Sequence, residues 1–191
     1  IIPLIIYDER NIGLKIYTNK SLKYSFAVLA PERSVSLIND TVNSIKYHYP
    51  NAPVVSVVET NATKEEMYEM KKICPVYKGK DTISSLINVA MRHSTGDWVF
   101  LLFAGTVARQ KLDEKFSFYI SSEKDILYPV ANGKFNFIDA TLNGLFMNRK
   151  TFKEIGEFNE EGHLEMVKAE WAMSAIECGC KFKAILGSKM C

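Results

Sequence analysis

The chain is poor in the features that mark several large classes of protein. Cysteine is scarce: Cys74, Cys178, Cys180 and Cys191 are spread over 191 residues, whereas a disulfide scaffold packs more cysteines into a shorter chain. Cys178 and Cys180 flank a single glycine, closer than the ligand spacing of a zinc knuckle. Reduced thiols, and with them a cytoplasmic setting, are expected. No run approaches the roughly 20 apolar residues of a membrane span. The opening Ile1-Ile2-Pro3-Leu4-Ile5-Ile6 is short and has no basic region before it, so it does not read as a secretion signal. Charge of one sign is missing too: 24 basic side chains meet 22 acidic ones, which implies neither nucleic acid nor a membrane surface as partner. His48, His93 and His163 are scattered, and there are no repeats. A start at Ile1 rather than Met fits a processed product or a piece of a longer protein.

What remains is an ordinary globular mixture, 47% apolar and 24% charged, long enough to bury a sizeable core. Residues 1–23 contain two short apolar stretches around a turn with Asn11 and Gly13, and read as a hairpin or extension outside the main domain, 24–191. Tyr24 to Ala30 is a mostly apolar run stopped by Pro31, a buried strand. Ser34 to Tyr49 carries Ile38, Val42, Ile45 and Tyr49 on one helical face, and Pro50 ends it. Val54 to Val58 is rich in β-branched residues. Thr63-Lys64-Glu65-Glu66 is a capping box opening a helix with Met67, Met70 and Cys74 inward. Val76-Tyr77 is a short strand. Ile83, Leu86, Ile87, Ala90 and Met91 repeat at helical spacing, and Trp98 to Phe103 is continuously apolar, as a central strand should be. Such alternation predicts an α/β fold with an open, mostly parallel sheet flanked by helices.

The second half predicts a mixed arrangement. Leu112 to Ile120 is expected as a helix. Ile126 to Val130 and Phe135 to Ile138 flank Asn132-Gly133, a hairpin signal. Leu142 to Met147 reads as a strand, Arg149 to Ile155 as a short helix capped by Gly156, His163 to Cys178 as a longer helix, and Phe182 to Leu186 as a final strand.

Three stretches carry a resemblance. The first is Val28-Leu29-Ala30-Pro31-Glu32-Arg33 with Val57-Val58-Glu59-Thr60-Asn61. The second is Ser84 to Ala90 followed by Gly96-Asp97-Trp98 and the strand ending Phe103-Ala104-Gly105. The third is Asn143-Gly144-Leu145-Phe146-Met147-Asn148-Arg149, Gly156-Glu157-Phe158-Asn159-Glu160, and Ala169-Glu170-Trp171. In order and spacing they resemble the large inverting family of GT-A glycosyltransferases, family two, over about residues 24 to 187. The resemblance implies a nucleotide-diphosphate sugar as donor, a UDP-sugar by preference, and a glycan, lipid or protein as acceptor. It places Ala30, Pro31, Glu32, Arg33 and Glu59 around the nucleoside, with the Glu59 carboxylate accepting the base N–H. It places Asn88 by the phosphates, Gly144 and Trp171 on the acceptor side, and Glu170 as the base that deprotonates the acceptor. Glu59 and Glu170 read equally well as solvated acids, and Trp171 as a core residue.

The chain departs from that family at one important place. Where the family carries Asp-x-Asp, the residues are Phe103-Ala104-Gly105. Mn²⁺ and Mg²⁺ need oxygen ligands, so the usual metal is not expected. Charge on a leaving diphosphate then has to be met by cations or backbone N–H groups; Arg109 and Lys111 are nearest in sequence, Arg149 and Lys150 more distant. Ile87 also stands where the family has Arg, and Ala169 where it has an acid. The alternative reading is therefore a GT-A-like domain that binds a nucleotide or glycan, or serves as a scaffold, without catalysis. A nucleotidyltransferase of similar fold would need a glycine-rich phosphate loop, and Ala30 to Ser34 contains no glycine.

Overall fold

The computed structural model describes residues 22–109, 119–130 and 136–185. The N-terminal extension up to residue 21, most of the helix expected at Leu112 to Ile120, and the Asn132-Gly133 turn lie outside the described residues, as does Lys111.

Seven strands form one sheet. They are β1 (Tyr24–Ala30), β2 (Val54–Glu59), β3 (Val76–Gly79), β4 (Trp98–Phe103), β5 (Asp125–Pro129), β6 (Leu145–Asn148) and β7 (Lys181–Ile185). Their order is β3-β2-β1-β4-β6-β5-β7. β1 pairs parallel with β2 and β4, and β2 parallel with β3. β6 alone runs the other way, antiparallel to β4 and to β5, while β5 and β7 pair parallel. The first half is thus the parallel alternation read from the sequence, and the second half is mixed. Among the described residues no helix is long and apolar enough to cross a membrane.

Two cores cover the two faces. On one lie α1 (Val35–His48) and α2 (Lys64–Lys71), whose Ile38, Val42, Ile45 and Met70 bury against Phe26, Val28, Val58, Phe100 and Phe146. On the other lie α3 (Ile83–His93), α4 (Arg149–Ile155) and α5 (Leu164–Glu177), whose Leu86, Ala90, Phe152, Trp171 and Ala175 meet Ala27, Leu29, Leu101 and Met147. The alternation of neighbouring residues between the two cores is the period of two of a strand. Register aligns Phe26, Phe100 and Phe146 across β1, β4 and β6. Their rings stack at 5.2 and 4.0 Å between centroids, a ladder that adds to simple area burial.

Local chemistry explains the element ends. Ser34, Thr63, Thr82 and Asn148 cap α1, α2, α3 and α4 through their side-chain oxygens, and Thr63 with Glu66 completes the capping box. Two expectations need correction. Residues 136–140 are a turn and not the second strand of a hairpin: the Asn136 carbonyl accepts from Asp139 and Ala140, and its side chain accepts from Ile138, an Asx turn that captures the backbone locally. β5 pairs instead with β6 and β7. The strand expected from Leu142 begins only at Leu145, because Gly144 sits at φ 89°, outside extended backbone.

At the outer edge of the second half, Lys183 is buried with Asp125. The ammonium lies 2.7 Å from Asp125 Oδ2 and also donates to the Tyr119 carbonyl and Ser121 Oγ. The same Oδ2 accepts from the N–H groups of Ser121 and Ser122. Removing one member of such a pair leaves the other charged in a dry site. Lys183→Met is expected to cost about 3–5 kcal/mol of folding stability in urea unfolding, and Lys183→Met with Asp125→Asn to recover a large part of it. A single-variant loss below about 1 kcal/mol would place this pair among weak surface contacts.

Candidate functional site at the carboxyl edge of the sheet

Strand order reverses at β1: β2 and β3 extend to one side of it and β4 to the other. In open α/β sheets the crevice outside the carboxyl ends of the strands at such a switch point is where ligands bind. Four segments meet there: the turn after β1, the loop after β2, the loop after β4, and the loop entering β6, which arrives at this edge because β6 is antiparallel.

The turn after β1 is closed by Arg33 N–H donating to the Ala30 carbonyl at 3.2 Å. Arg33 is the one non-glycine residue with positive φ (53°) among the described residues, a conformation that side chains other than glycine seldom adopt. That backbone carries the guanidinium over to the end of β2. Its Nε lies 3.9 Å from Glu59 Oε2, and its Nη1 lies 3.4 Å from the Asn61 carbonyl and 4.0 Å from Glu66 Oε2. The structure therefore brings together Ala30, Pro31, Arg33 and Glu59, with Glu32 exposed beside them. The loop after β2 is held by Lys78, whose ammonium donates to the Thr60 and Ala62 carbonyls, and by Thr60 Oγ1 donating to the Gly79 carbonyl.

Phe103, Ala104 and Gly105 offer no side-chain oxygen to a hard cation, and their backbone N–H groups are already committed. Phe103 N–H donates to Asn143 Oδ1, Ala104 N–H to the Leu29 carbonyl, Gly105 N–H to Thr41 Oγ1, and Thr106 N–H to the Phe103 carbonyl. Gly105 takes φ 96° against Leu37. Mn²⁺ or Mg²⁺ does not fit Phe103, Ala104 and Gly105, and no cluster of three His, Cys, Asp or Glu that could hold a metal occurs among the described residues. The N–H groups of Phe103, Ala104, Gly105 and Thr106 are equally unsuited to a diphosphate. Arg109 is exposed and follows a segment that runs along α1, where Ala108 N–H donates to Ser44 Oγ. Arg149 and Lys150, by contrast, follow the end of β6 that pairs with the start of β4, so they stand at the opposite edge and cannot serve a ligand here. An open cavity of about 780 Å³ at that edge is lined by Lys23, Asp97, Glu123, Arg149 and Lys153; it is separate from the carboxyl edge.

Two residues read toward the ligand from sequence serve the core. Asn88 is fully buried. Its Nδ2 donates to the Phe158 carbonyl and its Oδ1 accepts from Phe158 N–H, both at 2.9 Å, so the amide clamps the segment after α4 and is not free for phosphate. Trp171 stacks on Phe158 at 4.4 Å between ring centroids and donates from Nε1 to the Gly156 carbonyl; it is a core residue and not a sugar platform. Glu170 lies on the exposed face of α5.

Three contributors escaped the sequence reading as site residues. Asn143 ties the β6 entry loop to the β4 exit, also exchanging hydrogen bonds with Thr106; an Asn before a positive-φ glycine was its only signal. Lys168 is buried with its ammonium on the Ala140 carbonyl. Glu160 accepts from Lys80 at 2.9 Å and from Asn88 at 3.3 Å. The hydrogen bond from Lys80 holds the Glu160 carboxyl below its ordinary value, against the opposing effect of partial burial. Burial pushes the Cys180 thiol up to about 11 and raises Cys74 as well, so neither is an activated nucleophile.

The comparisons with known proteins decide the fold. The mannosyltransferase PcManGT of Pyrobaculum calidifontis, solved with GDP-Man and Mn²⁺, superposes with a TM-score of 0.65 at 12% identity, over 87% of this chain and 55% of that one. The chain has the GT-A fold. Glucosyl-3-phosphoglycerate synthase of Mycobacterium tuberculosis, solved with Mn²⁺, UDP and phosphoglyceric acid, gives 0.61 at 8% identity, over 87% and 69%. The bifunctional IspDF of Campylobacter jejuni gives 0.59 at 14%, over 87% and 50%. The GT-A domain thus spans about half the length of PcManGT and of IspDF, and the fold by itself does not fix the reaction. No protein-family model and no curated protein matches the sequence.

Two stability measurements test the geometry. Asn88→Ala leaves a buried N–H and a buried carbonyl of Phe158 without their partner, and should cost roughly 2–4 kcal/mol in denaturant unfolding. For Glu160 the folded pKa is lowered, so its contribution is fully present above the unfolded carboxylate value and is lost as pH falls through the folded one. Stability should therefore decline across the acid range, and Glu160→Gln should flatten that decline; an unchanged slope would remove the Lys80 pair from the account.

Proposed function

We propose that this GT-A domain binds a nucleotide-diphosphate sugar at the carboxyl edge of its sheet without a divalent metal, and passes the sugar to an acceptor hydroxyl with inversion. The observation that carries the reading is the Arg33–Glu59 pair at the switch point. A carboxylate at the end of β2 can accept the N–H of a uracil, which favours a UDP-sugar, and opening the 3.9 Å ion pair turns the guanidinium toward phosphate. Both partners are partly exposed, so the pair is weak and exchangeable. The GDP-Man and UDP in the PcManGT and glucosyl-3-phosphoglycerate synthase structures support a nucleotide-sugar ligand.

Inverting transfer is a single displacement. A base takes the proton of the acceptor hydroxyl, the oxygen attacks the anomeric carbon, and the bond to the diphosphate breaks with its electrons leaving on oxygen. Glu170 is the proposed base, and Arg33 and Arg109 are the proposed cations for the departing charge. The acceptor is a glycan, lipid or protein hydroxyl. A second reading is a module that binds the donor without turnover. The observation favouring it is that Glu170 faces outward on α5 while the N–H groups of Phe103, Ala104 and Gly105 are spent on the protein itself.

Calorimetric titration with UDP, GDP and their sugar conjugates, with and without Mn²⁺, tests both. Binding is expected without Mn²⁺, and Glu59→Ala should weaken it about tenfold, or about 1.4 kcal/mol. Glu170→Gln should leave binding intact and abolish transfer. Absence of binding to any of these ligands would sink the proposal; binding with no transfer by the natural chain would select the second reading.

A further inference from the structure

Helix α5 is apolar on two faces. Val167, Trp171, Ala172 and Ala175 are buried against the sheet. On the far side Met166 and Met173 are each 64% exposed and Ile176 37% exposed, with Ala169 half-buried between them. Met166, Ala169, Met173 and Ile176 are spaced by three, four and three residues, which sets them in one stripe along a helix. A helix that is apolar all round is ordinarily buried all round, yet no described residue packs over this stripe among the core contacts.

The flanks of the stripe carry one sign. In heptad terms the stripe fills the a and d positions, Glu165 stands at g, and Glu170 and Glu177 stand at e. All three acids are exposed. Lys168 is the helix's one basic residue, and it is buried on the Ala140 carbonyl, so nothing on the outer face offsets them. From this seam we infer that α5 docks a partner helix of another polypeptide, apolar along one stripe and flanked by lysine or arginine. A second copy of this chain does not fit, because pairing α5 with itself in either direction sets glutamates against glutamates. An anionic membrane surface is repelled for the same reason. The small Ala169 lets the partner backbone approach, and the two methionines adapt to its side chains. The inference shares Glu170 with the reading of the carboxyl edge, where it is the proposed base, and its test therefore rests on Glu165 and Glu177.

The probe is a synthetic amphipathic helix of about three heptads, with leucine and isoleucine along its stripe and lysine on both flanks; the control peptide has glutamate on the flanks. The readout is the methyl resonances of Met166 and Met173 in the 191-residue chain, assigned with Met166→Leu and Met173→Leu. The lysine peptide is expected to shift both resonances saturably, and the glutamate peptide to bind at least tenfold more weakly. Glu165→Lys with Glu177→Lys should reverse that preference with the fold unchanged by circular dichroism. Equal response to both peptides, or to neither, overturns the inference. So does concentration-dependent dimerisation abolished by Met173→Glu, or shifts of these methyls on lipid vesicles alone.

Discussion

Everything in this molecule hangs on β4 and its two unlike edges. One edge takes β1 in parallel, the other takes β6 antiparallel. The parallel edge completes the parallel half of the sheet and creates the switch point. The antiparallel edge turns the chain around, so that Asn143 and Gly144 arrive at the carboxyl edge while Asn148 and Arg149 leave at the amino edge. A strand with polar residues on one face could not do this. Trp98 to Leu102 is buried on both faces, and the Phe26, Phe100 and Phe146 rings stacked across it lock the register that decides which loop meets which.

The electrostatics divide by location. In the second half, Asp125 and Lys183 form a dry pair joined through Asp125 Oδ2, which ties β5 to β7. At the carboxyl edge the charges are wetter and looser: Arg33 stands between Glu59 and Glu66, and Lys80 reaches Glu160. The first kind resists change, the second can rearrange when a ligand arrives. Where a divalent metal would need carboxylates, the chain instead has Phe103, Ala104 and Gly105 with every N–H spent on a neighbour. Any charge brought to this edge meets side chains that are already paired, Arg33 with Glu59 and Lys80 with Glu160.

The regular half of the fold was legible because its signals are local. Periodicity marked Ile83 to Met91, the capping box marked Thr63, and the continuous apolar run marked β4 as central. The second half was harder, since its signals compete: Phe135 to Ile138 alternates like a strand, but Asn136 bends the backbone back on itself. Site residues were legible only as types. Glu59 and Arg33 could be nominated, but not their pairing, which depends on the unusual backbone of Arg33. Asn88 was nominated for the phosphates by the family resemblance; only the position of Phe158, seventy residues away, shows that its amide is a buried clamp. No local pattern could show that Trp171 stacks on that same phenylalanine.

The pairing of Tyr24 with Trp98 also sets the order in which the molecule can be made. Three strands and three helices must leave the ribosome before β4 reaches β1, and contacts so distant along the chain form slowly. During that interval β1 is an open strand edge, apolar along almost its whole length, of the sort that attracts chaperones and neighbouring nascent chains. The contact that completes the parallel half of the finished sheet therefore makes synthesis its most exposed moment.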